Sequence, residues 1–490
     1  MGTVPNIEIK TLWTVPIFIS QAMVNKTRRR ESGGVMKRGR GSRRCLLEKH
    51  EITSEEPIRM KIRNGPLFIF EEMPWLKSAS VGFFIPTGSA SESKEIAGIT
   101  HFIEHLVFKG TETKSPRDIA LAFEGSGGML NASTGKEFLD IFGRIGSRHL
   151  KRGFNVIADM ILNPRFLPSD IEKEKGVILE EIRMVNDIPE QFLFEKFSKQ
   201  IWGKSSLARS IAGDEKSLTS IKLKNIRKWF HEHFNPSRII ISISGDVDKE
   251  SVIGWWKEIS GQKNHVEVCK ERSIEHEIKP LKPDWNPGVK IYRRDFEQAS
   301  VVMGFPAPSA HMTERYSFSI VETLLGGGMG ARLFQEIREK SGLTYDIDCG
   351  YSPLRGTGVF TIDSATAPDL LFRLIDRILG ELRKIKSKKA TGTELEKVRD
   401  FVEGGTLLGL ESSSNRMMRN GMSQMYLGEI IPMDIVMGHL KRVTAGDVLK
   451  TAREYFTLNN FACGVLIPNG MMDDSTVHDK IMKIAEKHLG

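Results

Sequence analysis

At 490 residues the chain exceeds what one hydrophobic core usually organises, so two or more domains are expected. Hydrophobic residues make up 40% and charged residues 27%, which excludes a disordered or membrane-embedded chain as the main body. The net charge of +9 gathers largely in Lys26–Arg30, Lys37–Arg40 and Arg43–Arg44. That removes most of the case for nucleic-acid binding, which needs a basic face on a folded element.

Residues 1–54 read as a basic, disordered leader. Its apolar run "LWTVPIFIS" is too short for a bilayer span and precedes the basic cluster instead of following it, against the order of a secretory signal. A transit peptide, or sequence upstream of a start at Met36, stays open for this segment. No stable membrane insertion is expected. Cys45, Cys269, Cys349 and Cys463 are scattered without a CxxC pair, so reduced thiols in a cytosol-like compartment are expected. The expected location is cytoplasmic, with the mitochondrial matrix or export through the leader as alternatives.

From residue 55 strands and helices alternate. "PLFIFEEM" and "SASVGFFIPTGS" read as strands and "GITHFIEHLVFKG" as a helix. "SPRDIALAFEGSGG" is a helix capped by Ser115, with Pro116 at its first position and glycines at its end. "MLNASTGKEFLDIFGRI" holds strand-like segments, and "HLKRGFNVIADMILNP" is helical up to its proline. A long amphipathic helix is predicted over 168–185, and "RIIISISGDVD" is a buried strand ending in a turn.

A polar connector, "IEHEIKPLKPDWNPG", separates this half from "QASVVMGFPAPSA", "ERYSFSIVETLLGGG" and "GVFTIDSATA", where the order begins again. Both halves close alike, with helix, aromatic, short turn and apolar strand in "SLTSIKLKNIRKWFHEHFNPSRIIISISGDV" and "LKRVTAGDVLKTAREYFTLNNFACGVLIPNG". An internal duplication follows. The glycine cluster "LLGGGMGARLF" lacks the spacing of a phosphate loop, and a turn that moves fits it better.

The chemistry concentrates in "HFIEH". On a helix His101 and His105 lie one turn apart, with Glu104 on a neighbouring row. Two neutral imidazoles so placed can bind zinc, but catalytic zinc wants three protein ligands, so the third must come from elsewhere. Downstream, Glu174 and Glu181 are two helical turns apart and share a face, whereas Glu180 points away. With Glu181 as the third ligand, Glu104 lies beside the metal and can take a proton from water for metal-assisted hydrolysis. Glu174 can then accept the second ring proton of a ligand histidine. Packing histidines on an ordinary helix are the bland alternative. The second half contains no HFIEH.

The order HxxEH marks the inverzincins, and from about residue 58 to 488 the chain resembles the pitrilysin, insulin-degrading enzyme and mitochondrial processing peptidase family. The resemblance runs through "GSASE", "HFIEHLVFKGT", "GGMLNAST" and "VILEEI", with Glu181 at the family's third ligand position. In "ARLFQEIREKSGLTYDI" Arg338 and Tyr345 fall on the family's substrate-clamping Arg and Tyr, which would stabilise the developing oxyanion. Asn131 and Ala132 match its substrate-pairing edge. Where the family often has aromatic hydroxyls, Ile141 and Phe142 stand here, so substrate detail is expected to differ.

The resemblance implies an α+β chain of two homologous α/β-sandwich halves, each an antiparallel-rich sheet packed with helices, forming a clamshell-type chamber on dimerisation. The expected division is a leader at 1–54, a catalytic zinc-binding half at 55–270, a linker at 271–287 and a non-catalytic half at 288–490 carrying the clamp. The implied function is a zinc metalloendopeptidase, with one zinc per chain, acting on peptides or unfolded segments as a homodimer or as a heterodimer with a related chain. Some chains of this fold are structural or recognition subunits, the alternative reading. Arg338 and Tyr345 would face the partner's zinc.

Overall fold

The computed structural model describes residues 56–261, 266–268 and 280–490. The leader, Cys45, Cys269 and the start of the connector, up to residue 279, lie outside the described residues. Residues 281–287 of the connector have no regular secondary structure.

The first half builds a seven-stranded sheet from β1 (Ile58–Ile62), β2 (Leu67–Glu72), β3 (Ser78–Ile85), β4 (Met129–Thr134), β5 (Leu139–Gly146), β6 (Ile240–Gly245) and β7 (Val266–Val268), in the order β4-β5-β3-β6-β2-β1-β7. β6 is buried at every residue, as its unbroken apolar and small-residue run requires of a central strand. The helices are α1 (Ile99–Val107), α2 (Pro116–Glu124), α3 (Leu150–Leu162), α4 (Pro168–Asp187), α5 (Pro189–Trp202), α6 (Glu215–Ser220), α7 (Leu223–His233) and α8 (Lys249–Ser260). α2 starts at a complete capping box, with Ser115 and Asp118 satisfying each other's backbone N–H.

The second half builds a five-stranded sheet from β8 (Gly288–Arg294), β9 (Ala299–Pro306), β10 (Ile347–Pro353), β11 (Gly358–Thr366) and β12 (Ala462–Pro468), in the order β10-β11-β9-β12-β8. Its helices are α9 (Arg315–Gly326), α10 (Leu371–Ser387), α11 (Gly392–Gly409), α12 (Ser413–Leu427), α13 (Met433–Arg442), α14 (Ala445–Tyr455) and α15 (Asp474–Leu489). The order β4-β5-β3-β6-β2 maps strand for strand onto β10-β11-β9-β12-β8, and in both the last pair is parallel while the others are antiparallel. The duplication legible in the two closing segments thus extends to all five strands of the second sheet and five of the seven in the first. Among the described residues no helix is long and apolar enough to cross a membrane.

Each half lends a helix to the other. α5 packs on β9 and β12 of the second sheet, burying Phe192, Leu193, Phe197 and Ile201 against Val302, Val359, Ala462 and Leu466. Its counterpart α12 packs on β3 and β6 of the first sheet, burying Met417, Met422, Met425 and Tyr426 against Leu67, Ile69, Phe84 and Ile240. Small residues allow the approach: a Cβ on Gly82 would lie 2.4 Å from Met417 Sδ. Polar bonds add direction. Ser242 Oγ donates to the Met417 carbonyl at 2.9 Å, and Arg416 and Asn420 both donate to the buried Glu71 carboxylate. With each fully buried large apolar side chain worth about 2–3 kcal/mol, the exchange joins the halves into one packed body.

Candidate metal centre

α1 lays Ile99, Phe102, Ile103 and Leu106 into the first-half core, which turns His101, Glu104 and His105 toward α4. α4 is the predicted long helix, two residues longer than expected. It buries Ile171, Glu174 and Ile178, while Glu180 turns to solvent and pairs with Arg183.

The two imidazoles sit edge to face, with ring centroids 4.7 Å apart. Glu181 Oε2 lies 3.8 Å from His101 Nε2 and 3.7 Å from His105 Nε2. One ligand atom from each of His101, His105 and Glu181 falls within 4.8 Å of the others, and among the described residues these three alone form such a group. His105 Nδ1 meets Glu174 Oε2 at 3.1 Å, and Lys109 Nζ meets Glu174 Oε1 at 2.7 Å. This carboxylate sets the His105 tautomer, with the proton on Nδ1 and the Nε2 lone pair free for a metal. His101 Nδ1 is buried without a partner. The donor set, two imidazoles and a carboxylate, fits zinc with a position left open.

The electrostatics of the cluster follow from its burial and from the proximity of its groups. Burial pushes His101 down to about 3 and the Glu104 carboxyl up to about 7, the latter against the hydrogen bond from Thr134. Burial also raises Glu181. His105 is raised: burial lowers it, but the Glu174 hydrogen bond and the neighbouring carboxylates outweigh that. Glu174 is lowered, because hydrogen bonds with His105 and Lys109 overcome its burial. Burial disfavours charge on His101, while the neighbouring carboxylates favour it on His105, and a divalent cation is the charge this set of carboxylates and imidazoles can take.

Glu104 receives a hydrogen bond from Thr134 Oγ1 at 2.5 Å, at the end of β4. Among the described residues β4 pairs only with β5, which makes it an edge strand beside α1 and its His101, Glu104 and His105. Asn131 is exposed and Ala132 half-buried on this strand. Ile141 is wholly buried in the first-half core, so an aliphatic packing group stands there, and Phe142 packs toward α12.

Arg338 and Tyr345 come together in the second half. Arg338 lies on a π-helical segment, Phe334–Glu339, with its guanidinium 4.6 Å from the Phe334 ring centre and 4.9 Å from that of Tyr345. Tyr345 is 79% exposed, so this pair is presented to solvent.

Two contributors escaped the sequence reading. Lys109 and Thr134 both lie inside the motif segments, but a lysine at a helix end and a threonine on a strand carry no signal of a contact. The signal available was position alone: Lys109 follows His105 by one helical turn and so falls beside whatever His105 touches.

Comparison with known proteins supplies independent context. Residues 67–215 match the family described as "Insulinase (Peptidase family M16)", and residues 220–401 match "Peptidase M16 inactive domain". An uncharacterized zinc protease of Bacillus subtilis, YmxG, is 32% identical over 420 residues, covering 84% of this chain and 99% of the relative. An uncharacterized zinc protease of Mycobacterium tuberculosis is 30% identical over 414 residues, covering 84% of this chain and 94% of the relative. The crystal structure of a protease from Helicobacter pylori superposes with a TM-score of 0.76 at 20% identity, covering 84% of this chain and 100% of that one. A chain of complex III2 from Candida albicans does so with a TM-score of 0.70 at 14% identity, covering 86% of this chain and 99% of that one.

Proposed function

The chain belongs to the M16 peptidase family, and from that premise we propose that it is a zinc-dependent endopeptidase cleaving peptides or unfolded polypeptide segments. The observation that carries the reading is the convergence of His101, His105 and Glu181 within 4.8 Å, with Glu104 on the same helix. The cofactor is zinc, one ion per chain held by those three residues.

Zinc held by His101, His105 and Glu181 would supply a Lewis acid for the scissile carbonyl and would lower the pKa of the attacking water toward about 7. Glu104 takes a proton from the attacking water and delivers it to the amide nitrogen as the C–N bond breaks. Thr134 fixes one oxygen of that carboxylate, which leaves the other for the proton. Glu174 holds His105 in the tautomer that offers Nε2, and Lys109 holds Glu174 ionised. Asn131 and Ala132, on the open edge of β4, receive an extended substrate through main-chain hydrogen bonds. Arg338 and Tyr345 act in trans on the site of a paired chain, identical or related, so that two chains enclose the substrate.

The test is hydrolysis of a fluorogenic peptide library by the purified chain, with and without a zinc chelator, alongside Glu104→Gln. Cleavage abolished by chelator and absent from a Glu104→Gln chain that still binds zinc is the expected result. A folded, zinc-loaded wild-type chain that cleaves nothing, alone or with a related chain, would overturn the reading.

A further inference from the structure

The helix that presents both histidines begins without a local cap. Its N-cap residue is Gly98, at φ +92°, which has no side chain for the free N–H groups of the first turn. The acceptor comes from six residues upstream. Glu92 is 3% exposed, and its carboxylate takes the Gly98 N–H at 2.7 Å and the Thr100 N–H at 2.8 Å, one on each oxygen. Two short 3-10 turns, Ser89–Ser91 and Lys94–Ile96, fold the chain back so that Glu92 reaches its own downstream helix.

A second segment locks this corner. The Arg209 guanidinium donates to the Glu92 carbonyl, and the buried Lys136 ammonium donates to the Arg209 carbonyl. Ser217 Oγ donates to the Ala97 carbonyl at 2.7 Å. The backbones are in such close approach that a Cβ on Gly98 would lie 2.5 Å from the Ala212 oxygen, and one on Gly213 would lie 2.3 Å from the Ala97 oxygen. The first turn of α1 is thus held from outside by the 209–217 segment and from inside by one carboxylate. Thr100, the second residue so held, directly precedes His101.

A helix is stiff over one turn, so a shift at Thr100 is passed on to His101 and His105, and a metal site accepts ligand displacements of only ~0.2 Å. We infer that Glu92 is a positioning residue of the metal centre, a remote N-cap that fixes where α1 presents its two histidines. The inference rests on the reading of His101, His105 and Glu181 as zinc ligands. A capping serine at position 98 would satisfy one first-turn N–H but not its own, and would not tie the turn to a carbonyl-linked clamp. Glu92 does both, through its carboxylate and its backbone.

The test uses the full chain and two readouts other than catalysis: zinc affinity by competition with a chromogenic chelator, and the visible absorption of the cobalt-substituted protein, which reports ligand geometry. The variants are Glu92→Gln, Glu92→Asp and Ser115→Ala, each with its melting temperature. Glu92→Gln puts an amide NH2 where one acceptor stood and is expected to weaken zinc binding about tenfold and alter the cobalt spectrum. Glu92→Asp keeps the charge but falls short of one N–H, and gives an intermediate loss. It carries the comparison if the glutamine variant does not fold. Ser115→Ala removes the capping box of α2 without touching the corner that holds α1, so it lowers the melting temperature while zinc affinity stays within about twofold of wild type. Wild-type affinity and spectrum in both Glu92 variants would overturn the inference, as would an equal loss in Ser115→Ala. A wild-type chain that binds no zinc would overturn the metal reading itself, and this inference with it.

Discussion

Glu174→Gln isolates the contribution of the carboxylate behind His105. The glutamine is nearly isosteric and its amide oxygen can still accept from His105 Nδ1, so the imidazole keeps a partner. Two things change. The bond at 3.1 Å goes from charge-assisted to neutral, a loss of about 1 kcal/mol. The other position, 2.7 Å from Lys109 Nζ, presents either an amide NH2 facing an ammonium or a neutral oxygen in place of an anion. A half-exposed ion pair of this kind contributes about 0.2–1 kcal/mol. Together these give about 2 kcal/mol at most, or roughly thirty-fold in zinc Kd, within the usual range for residues that orient metal ligands. The assay is zinc competition against a fluorescent chelator at fixed pH. Glu180→Gln, in the solvent-facing Glu180–Arg183 pair, serves as the control and should leave affinity unchanged. Lys109→Met alone should weaken binding only slightly, and the double variant should lose less than the sum of the two, because the donor facing the amide has gone. A zinc Kd within about threefold of wild type for Glu174→Gln, or strict additivity in the cycle, would refute the relay from Lys109 through Glu174 to His105.

Further expectations concern catalysis, assembly and folding. Thr134→Val removes the hydroxyl on Glu104 at nearly constant volume, and kcat/KM should fall about tenfold with zinc affinity retained; unchanged kcat/KM would show that Glu104 needs no such anchor. An inactive Glu104→Gln chain mixed with an inactive Arg338→Ala chain should regain activity on subunit exchange if the clamp acts in trans, and no recovery counts against that arrangement. Met417→Ala should cost about 3 kcal/mol by opening a cavity between α12 and the first sheet, and urea unfolding should remain a single transition; a separate second-half transition carrying the whole loss would show that helix exchange does not couple the halves. Asp159 is held below the ordinary 3.8 because hydrogen bonds from Lys114, Thr111, Asn163 and Thr113 outweigh its burial. Its contribution is therefore complete above that value and lost as pH falls through the folded value, so the advantage of wild type over Asp159→Asn, about 2 kcal/mol, should be flat from about pH 8 to 5 and shrink below about 4 in denaturant titrations.

Much of the first half could be read directly. The strands over Leu67–Glu72 and Ser78–Ile85, the capped helix from Pro116 and the long helix from Pro168 follow from continuous apolar runs, a proline at the first helical position and a capping serine. These signals act over a few residues, which is why they survive in the chain itself. β1, β8 and β10 were not read, because their half-buried or short patterns resemble loops until a neighbouring strand supplies the other half of the ladder.

The sequence by itself determined that His101 and His105 share a helical face and that Glu174 and Glu181 share another, since both statements need only the 3.6-residue turn. It also carried the repeated closing segments that betray the duplication. Tertiary structure decided which oxygen meets which nitrogen: the docking of α4 on α1 sets Glu181 Oε2 between the two Nε2 atoms and turns Glu174 to His105 Nδ1. It also decided that α5 and α12 cover each other's sheets, because amphipathic spacing shows that a helix has an apolar face but not which surface will cover it. The Glu92 cap belongs with these. Its bonds to Gly98 and Thr100 depend on two 3-10 turns and on a segment more than a hundred residues downstream, contacts that no local period encodes.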